Sequence, residues 1–382
     1  MRDEELEKLC SKELLEAIEA NIDRKAEAIA LDKRIAHASL VATQVKYLKR
    51  AAAKLPHYFA ARCILPPLSF EQASSEHVAE LKQLSGGSLL DLTCGLGVDS
   101  LHFARSFQRV VAIERSELLA KVARENFRRM GVDNIEVICA SAEEYLATCS
   151  EQFDWIYADP DRRSESGAKL VRLEECSPNI LALMGDMERV SGGRFMIKNS
   201  PLFDVDEAFR LFSPARVEVV SVGDECKEVL VSRSNNDELV ATAVGRGSVS
   251  VARGEVRQSF LSSVFEEERY RYLVIPDVAL QKSRLTAHVL GGEVDMWSNN
   301  GFGFCTHPPT SPLVRSFEIE RIVDFSPKQL KRELAGRSVE ILKRDFPLPV
   351  KQITAQLKIK EGGECRIAFT RIAGRSIAIF LR

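Results

Sequence analysis

Residues 89–116, LLDLTCGLGVDSLHFARSFQRVVAIERS, set two glycines, Gly95 and Gly97, about 20 residues ahead of an acidic group, Glu114. Glycine lets the backbone turn sharply, and a helix starting near Val98 leaves unpaired N–H groups and a positive dipole end at that turn. An anionic or strongly polar ligand group is favoured there. Glu114 has the chemistry to accept hydrogen bonds from a ribose diol. The dinucleotide fingerprint G-x-G-x-x-G needs a third glycine where this chain has Ser100, which weakens that reading. An ordinary α/β crossover with a glycine-bearing turn also fits, and the motif alone does not decide between them.

Such groups need a sheet to carry them. Leu89–Leu92 and Arg109–Ile113 are short apolar runs suited to buried parallel strands, and Leu101, Phe103 and Ala104 give the helix between them a packing face. The alternation continues with a helix over Leu118–Met130 ended by Gly131, a strand over 135–140 and a helix over Glu143–Cys149. A strand over 153–163 carries Asp159–Pro160 at its carboxyl end; a helix around Ser177–Val190 and a strand over 194–198 follow. Residues 216–222 and 227–232 read as a closing antiparallel hairpin, which makes seven strands. This pattern predicts a doubly wound α/β sheet whose crevice lies at the carboxyl ends of the strands, where Gly95, Glu114, Ser141 and Asp159 all fall.

Upstream, Leu6, Leu9, Leu14, Leu15, Ile18, Ile22 and Ile29 recur at helical steps, and Val45, Leu48 and Ala52 continue the pattern to Pro56. A helical prefix docked on its own chain is expected. In residues 63–87 two prolines fix an extended approach, and Ser74 or Ser75 caps a helix from about Glu76 to Leu84, ended by Gly86–Gly87.

A chain of 382 residues is long for one core and predicts two or three domains. Its 45% apolar and 28% charged content is that of an ordinary globular protein. No apolar stretch is long enough for a membrane span, and MRDEELEKLC lacks the basic-then-apolar pattern of a signal peptide, so a cytoplasmic location is expected. Nine cysteines without a C-x-x-C pair, and six histidines without ligand spacing, predict neither a disulfide framework nor a metal site. The net charge of −2 hides an asymmetry: residues 326–382 hold 13 Lys/Arg against 5 Asp/Glu. A basic tail is a footprint for a polyanion, and equally the ordinary charge of a solvated surface.

The run D-x-x-C-G-x-G from Asp91 to Gly97, followed by Glu114, resembles the first two motifs of class I S-adenosylmethionine-dependent methyltransferases. That resemblance implies a Rossmann-like methyltransferase domain with S-adenosylmethionine as cofactor. Asp91, Cys94, Gly95 and Gly97 would then lie against its methionine part, with Glu114 and Arg115 following as cofactor-binding positions. It also implies that Gln72, Ser74 and Ser75, before the first strand, fold over the cofactor. Ser141 and Ala142 stand where the family usually offers the adenine an acidic residue and then a small one. At the fourth strand end, members that methylate exocyclic amines read Asp/Asn/Ser-Pro-Pro-aromatic; here the run is Asp159-Pro160-Asp161-Arg162. Methyl transfer from a sulfonium is an in-line displacement that depends mainly on alignment. Asp159 and the Pro160 carbonyl, with Asp161 beside them, are suited to orient an amine lone pair and stabilise developing positive charge. Arg162 in place of the aromatic leaves the target open. Arg162 and Arg163 suit a phosphate clamp or pairing with nearby carboxylates, and Lys198 closes the fifth strand toward the same crevice, where it suits an anionic substrate. A cysteine nucleophile for cytosine C5 chemistry is absent near the fourth and fifth strand ends.

Behind this region, residues 233–260 alternate as a hairpin or an extended link, and Tyr272–Ile275 reads as a strand followed by a helix of about ten residues from Val278. From Ser326 come a helix over Pro327–Leu334, a strand at Val339–Lys343, a helix at Val350–Leu357 and strands at Glu364–Thr370 and Ser376–Leu381. Two small α+β modules are expected. YLVIPDVALQKS, FSPKQLKRELAG and FPLPVKQITAQLKIKEGG resemble the ferredoxin-like and THUMP-like pair behind the methyltransferase domain of an uncharacterised bacterial family. The organisation expected is a helical segment (1–62), a methyltransferase domain (63–235), a linker with a ferredoxin-like module (236–325) and a basic THUMP-like module (326–382). THUMP domains bind RNA, so the resemblance implies an RNA substrate, with Lys328, Lys331, Arg332, Lys343, Arg344 and Lys351 as phosphate contacts. Two other functions stay open: an RNA-binding protein on a scaffold that no longer catalyses, and a methyltransferase for a protein or small molecule.

Overall fold

Buried apolar runs separated by glycine turns and amphipathic helices build the first part of the chain. The computed structural model describes residues 1–161, 173–258 and 261–382. Contacts divide these into a unit of Met1–Leu202 with Val231–Arg233, and a unit of Phe203–Leu230 with Ser234–Arg382.

The first unit opens with helices α1 (Asp3–Cys10), α2 (Lys12–Ala20), α3 (Ala26–Ala30), α4 (Ala38–Lys54) and α5 (Pro56–Ala60), then α6 (Pro67–Gln72) and α7 (Glu76–Ala79). Next come β1 (Gly86–Asp91), α8 (Val98–Phe103), β2 (Phe107–Glu114), α9 (Glu117–Met130), β3 (Ile135–Cys139), α10 (Ala142–Thr148), β4 (Trp155–Ala158), α11 (Ile180–Ser191) and β5 (Phe195–Asn199). The five strands are parallel in the order β3-β2-β1-β4-β5, the doubly wound arrangement the alternation predicts.

The helical prefix is part of this unit's core: Leu6, Leu9, Ile29, Val45, Leu48 and Tyr58 share a cluster with Val122, Ala123 and Phe127 of α9. Residues 62–65 are held against α9 by polar side chains. Buried Asn126 accepts from the Ile64 N–H (2.7 Å) and donates to its carbonyl (2.9 Å), and Gln44 does the same for Leu65 (3.0 and 3.3 Å). Arg129 donates to the carbonyls of Arg62 and Leu9 (2.6 and 2.8 Å). An extended segment without a strand partner thus has its backbone groups satisfied.

Two local expectations change. The helix expected over Glu76–Leu84 stops at Ala79, after which the chain turns so that Lys82 is fully buried beside Asp99 (3.0 Å). Gly86 and Gly87 open β1 instead of ending a helix, because the Asp154 carboxylate accepts from the N–H groups of Gly87 and Ser88 (2.7 and 3.0 Å).

The second unit adds α12 (Val205–Phe212), β6 (Ala215–Val222), β7 (Glu225–Arg233, whose last three residues count with the first unit), β8 (Glu238–Ala243) and β9 (Gly247–Ala252). Their order is β7-β6-β8-β9, so the expected hairpin is followed by two more strands. Then come β10 (Tyr272–Pro276), α13 (Val278–Lys282), α14 (Thr286–Leu290), β11 (Asp295–Met296), β12 (Gly303–Cys305), β13 (Val314–Asp324), α15 (Pro327–Leu334), β14 (Ser338–Lys343), α16 (Val350–Leu357), β15 (Lys360–Glu361), β16 (Cys365–Ile372) and β17 (Arg375–Leu381). The single helix expected from Val278 is two, broken where Arg284 takes a φ of 61°. The expected pair of modules is one eight-stranded sheet, β11-β12-β10-β13-β17-β16-β14-β15. Long β13 makes it continuous, pairing with β10 through Val314–Glu318 and with β17 through Ile319–Asp324. Among the described residues no helix is long and apolar enough to cross a membrane.

Candidate active site

The glycine turn after β1 is built around Asp91. Its buried carboxylate accepts from the Thr93 N–H (2.9 Å), the Thr93 hydroxyl (3.3 Å) and the Ser100 hydroxyl (2.5 Å), so one side chain fixes both ends of the turn. Burial pushes the Asp91 carboxyl up to about 7, against the hydrogen bonds from Ser100 and Thr93. Ser100, standing where a dinucleotide site has its third glycine, is therefore a structural partner of the turn. Gly97 has a φ of 85°, and a Cβ on it would lie 2.4 Å from the Phe127 ring, so only glycine fits. Gly95 differs: with a φ of 56°, a Cβ there would approach only the Thr93 carbonyl, at 3.9 Å. Space over Gly95 is what a bound cofactor requires.

Glu114 ends β2 beside this space. Its carboxylate accepts from the N–H of Gly95 (2.9 Å) and of Ser116 (2.8 Å), which aims it at the turn. Burial raises its pKa, and those two N–H groups oppose the rise. The open face over Gly95 and the adjacent acidic acceptor fit S-adenosylmethionine, with Gly95 and Gly97 able to lie against the methionine part and Glu114 able to hold the ribose hydroxyls.

At the end of β4, the Asp159 N–H donates to the Thr93 hydroxyl (2.6 Å), tying the fourth strand end to the glycine turn. The Asp159 carboxylate forms an ion pair with Lys198 of β5, and Lys198 also donates to Ser74 (3.1 Å). Behind the pair lies a further group that sequence reasoning missed. Asp99, in the first turn of α8, is paired with Lys82 (3.0 Å) and accepts from the Tyr157 hydroxyl (2.8 Å) and from Ser74 (3.4 Å). Burial pushes the Asp99 carboxyl up, but Lys82 and Lys198 pull harder and hold it at about 2. Nothing in the sequence marked Lys82 as buried, since the helix expected over Glu76–Leu84 would carry such a lysine on its solvated face.

The remaining expected residues fall as follows. Ser75 caps α7, accepting from the Val78 N–H (3.4 Å), while Gln72 is exposed at the end of α6. Ser141 forms a capping box with Glu144, accepting from its N–H (3.1 Å) and donating to its carboxylate (2.9 Å); Ala142 is buried behind it. Arg115 donates to Ser177 (2.8 Å) and lies 4.0 Å from Asp161, whose backbone bridges Ser177. Pro160 is buried, and Arg162 and Arg163 lie outside the described residues. Burial pushes the Cys94 thiol well above its ordinary value, which disfavours a nucleophilic thiolate. Among the described residues no cluster of three His, Cys, Asp or Glu is arranged to hold a metal ion. A cleft of about 600 Å³ lined by His57, Arg105, Met130 and Asn134 opens near the amino ends of β2 and β3, away from these groups.

In the tail, Lys328, Arg332 and Lys351 are exposed and Lys331 is half-buried. Lys343 donates to the Phe346 carbonyl (3.1 Å). Arg344 is turned inward, donating to the carbonyls of Pro276 (2.9 Å) and Gly301 (3.3 Å).

Two stretches of the chain match known families. Residues 89–162 match the methyltransferase domain family model, and residues 314–382 match the THUMP domain-like model. An uncharacterized RNA methyltransferase of Thermosynechococcus vestitus is 33% identical over 94 residues, 24% of this chain and 21% of that protein. A tRNA/tmRNA (uracil-C(5))-methyltransferase of Cronobacter sakazakii is 31% identical over 121 residues, 28% of this chain and 33% of that protein. This chain thus spans between a fifth and a third of the length of these relatives. A crystal structure of a candidate methyltransferase from Porphyromonas gingivalis W83 aligns with a TM-score of 0.80 at 23% identity, covering 97% of both chains. The fold is that of a class I S-adenosylmethionine-dependent methyltransferase with a THUMP-like C-terminal domain.

Proposed function

We propose that this protein transfers a methyl group from S-adenosylmethionine to RNA, a tRNA or an rRNA, at the carboxyl edge of the β3-β2-β1-β4-β5 sheet, and that it works in the cytoplasm. The observation that carries this reading is the joining of four strand ends by three specific bonds: Glu114 to Gly95, Thr93 to Asp159, and Asp159 to Lys198. The cofactor, when bound, supplies a methyl carbon on a sulfonium. Around it Asp91, Cys94, Gly95, Gly97, Glu114 and Arg115 form the methionine and ribose side, Ser141 and Ala142 flank the adenine, and Gln72 and Ser75 cover the edge.

Asp159, Pro160 and Asp161 face the acceptor. Lys198 pairs with the Asp159 carboxylate and orients it, and alignment of the acceptor is the main task of the site. Arg162 and Arg163 meet the acceptor's anionic surroundings, and Lys328, Lys331, Arg332, Lys343 and Lys351 hold phosphates farther along the chain; Arg344, expected among them, is engaged with the carbonyls of Pro276 and Gly301, and Lys198 with Asp159 and Ser74.

The test is transfer of tritium from labelled cofactor into total RNA. Label in RNA that is lost in Asp159→Ala is expected, together with cofactor binding by calorimetry that is lost in Gly95→Asp. Label found only in protein or metabolite, or RNA bound without any transfer, rejects the reading.

A further inference from the structure

The exposed face of α4 carries a feature that the transfer site does not use. Lys46, Arg50 and Lys54 repeat every fourth residue, which aligns them along one side of the helix about 6 Å apart. The opposite side buries Val41, Val45, Leu48 and Ala51. Between the cations lie two aromatic rings, Tyr47 and Phe70 of α6, packed edge to face at 5.4 Å. Lys46 is 5.7 Å from the Tyr47 ring centre, Arg50 is 5.4 and 5.2 Å from Tyr47 and Phe70, and Lys54 is 4.8 Å from Phe70. A single carboxylate, Glu71, faces them and pairs with Arg50.

This row leads toward the transfer site. Lys54 donates to the Phe70 carbonyl (2.6 Å), and three residues past Glu71 stands Ser74, which accepts from Lys198. The Lys54 ammonium is lowered first by burial, with Glu71 opposing, and then by repulsion from Arg50 and Lys198.

We propose that the exposed face of α4 is a track for the phosphodiester backbone of a single-stranded stretch of the RNA acceptor, with Lys46 and Arg50 on successive phosphates and Tyr47 beside a base. The proposal rests on the reading that the acceptor is RNA. Evenly spaced cations beside the half-exposed Tyr47 ring, which buried Phe70 backs, match a polyanion with stackable bases, where an acidic peptide needs only the charges. Glu71 occupies Arg50 until a phosphate replaces it.

The experiment is fluorescence anisotropy of the full chain with a labelled single-stranded RNA 20-mer over a salt series, alongside the tritium assay. Lys46→Ala with Arg50→Gln weakens binding tenfold or more and flattens the salt dependence by about 1.4 in log–log slope, at about 0.7 per lost single-strand contact. Glu71→Gln strengthens binding about threefold, which a purely structural Arg50–Glu71 staple would not do. Lys46→Glu alone, at a side chain with no ion pair among the described residues, weakens binding even if the double variant folds poorly. Unchanged affinity and slope in Lys46→Glu and Glu71→Gln overturns the track, as does equal loss of binding to a labelled polyglutamate peptide. If wild-type protein labels RNA while these variants bind as it does, only the track fails. Absence of label with wild type rejects the transfer reading, and the variants' binding still decides the track.

Discussion

Two largely buried aspartates eight residues apart respond to pH in opposite directions because their neighbours differ. Asp91 meets only neutral donors, so burial dominates and raises it to about 7, above the roughly 3.9 of an unfolded aspartate. Its contribution to stability is complete below the unfolded value and is lost as pH rises toward 7. Asp99 meets Lys82 and Lys198 and is held at about 2, so its contribution is present above the unfolded value and is lost as pH falls from about 4 to 2. Melting temperatures of wild type, Asp91→Asn and Asp99→Asn across pH 2–8 should separate the two. Asp91→Asn should gain on wild type as pH rises from 4 to 7, and Asp99→Asn should gain on it only as the solution becomes acidic. A flat Asp91→Asn difference would show that the hydrogen bonds of the turn cancel the effect of burial and leave the carboxyl at its unfolded value. Of these groups, Asp91 was visible in the sequence as part of a motif. Asp99, Lys82 and Tyr157 were not, because charged residues at such spacings are usually solvated and only the tertiary fold buries them together.

Elements were legible wherever one signal controlled them. The apolar run of β1 and the glycine that ends α9 were read to within a few residues, and Gly131 does take a left-handed φ of 68°. α12 was missed although Asp204 caps it, accepting from the N–H groups of Asp206 and Glu207 (2.9 and 3.2 Å). Its eight residues follow a proline-bearing loop and carry only four buried positions, too short a period to stand out. The shared strand β13 pairs with β10 along one half and β17 along the other, a long-range property that local pattern does not encode. Ser141 shows how an element competes with a site for one side chain. Its hydroxyl is engaged both ways with Glu144, so Ser141→Ala should cost about 1 kcal/mol of stability, the usual value for a lost N-cap. Cofactor affinity measured by calorimetry should then change by less than about threefold, because the hydroxyl is already engaged with Glu144. A tenfold loss of affinity at unchanged stability would return the hydroxyl to the cofactor.

Across the whole chain the net charge of −2 is divided unevenly, and the fold separates its cations into two groups. In the C-terminal region Arg321 pairs with Glu333, Arg366 with Glu340 and Arg375 with Asp324, all exposed enough for the pairs to add little stability. Lys328, Lys331 and Arg332 form no ion pair among the described residues, although Glu333 is their neighbour in sequence. All three lie on α15, whose Leu330 and Leu334 face the core, so the helix is fixed while Lys328 and Arg332 face water and Lys331 is half-buried beside them. The sequence supplied the charge excess of this region but not which cations were already paired. Replacing Lys328, Lys331 and Arg332 by alanine should therefore weaken RNA binding while leaving cofactor affinity and the melting temperature near their wild-type values. Each lost phosphate contact should flatten the log–log salt dependence by about 0.7 for a single strand and 0.9 for a duplex. Because phosphate contacts position without specifying, the loss should be nearly equal for RNAs of different sequence. An unchanged salt slope would assign these cations to solvent alone, and a loss confined to one RNA sequence would mean that α15 reads bases.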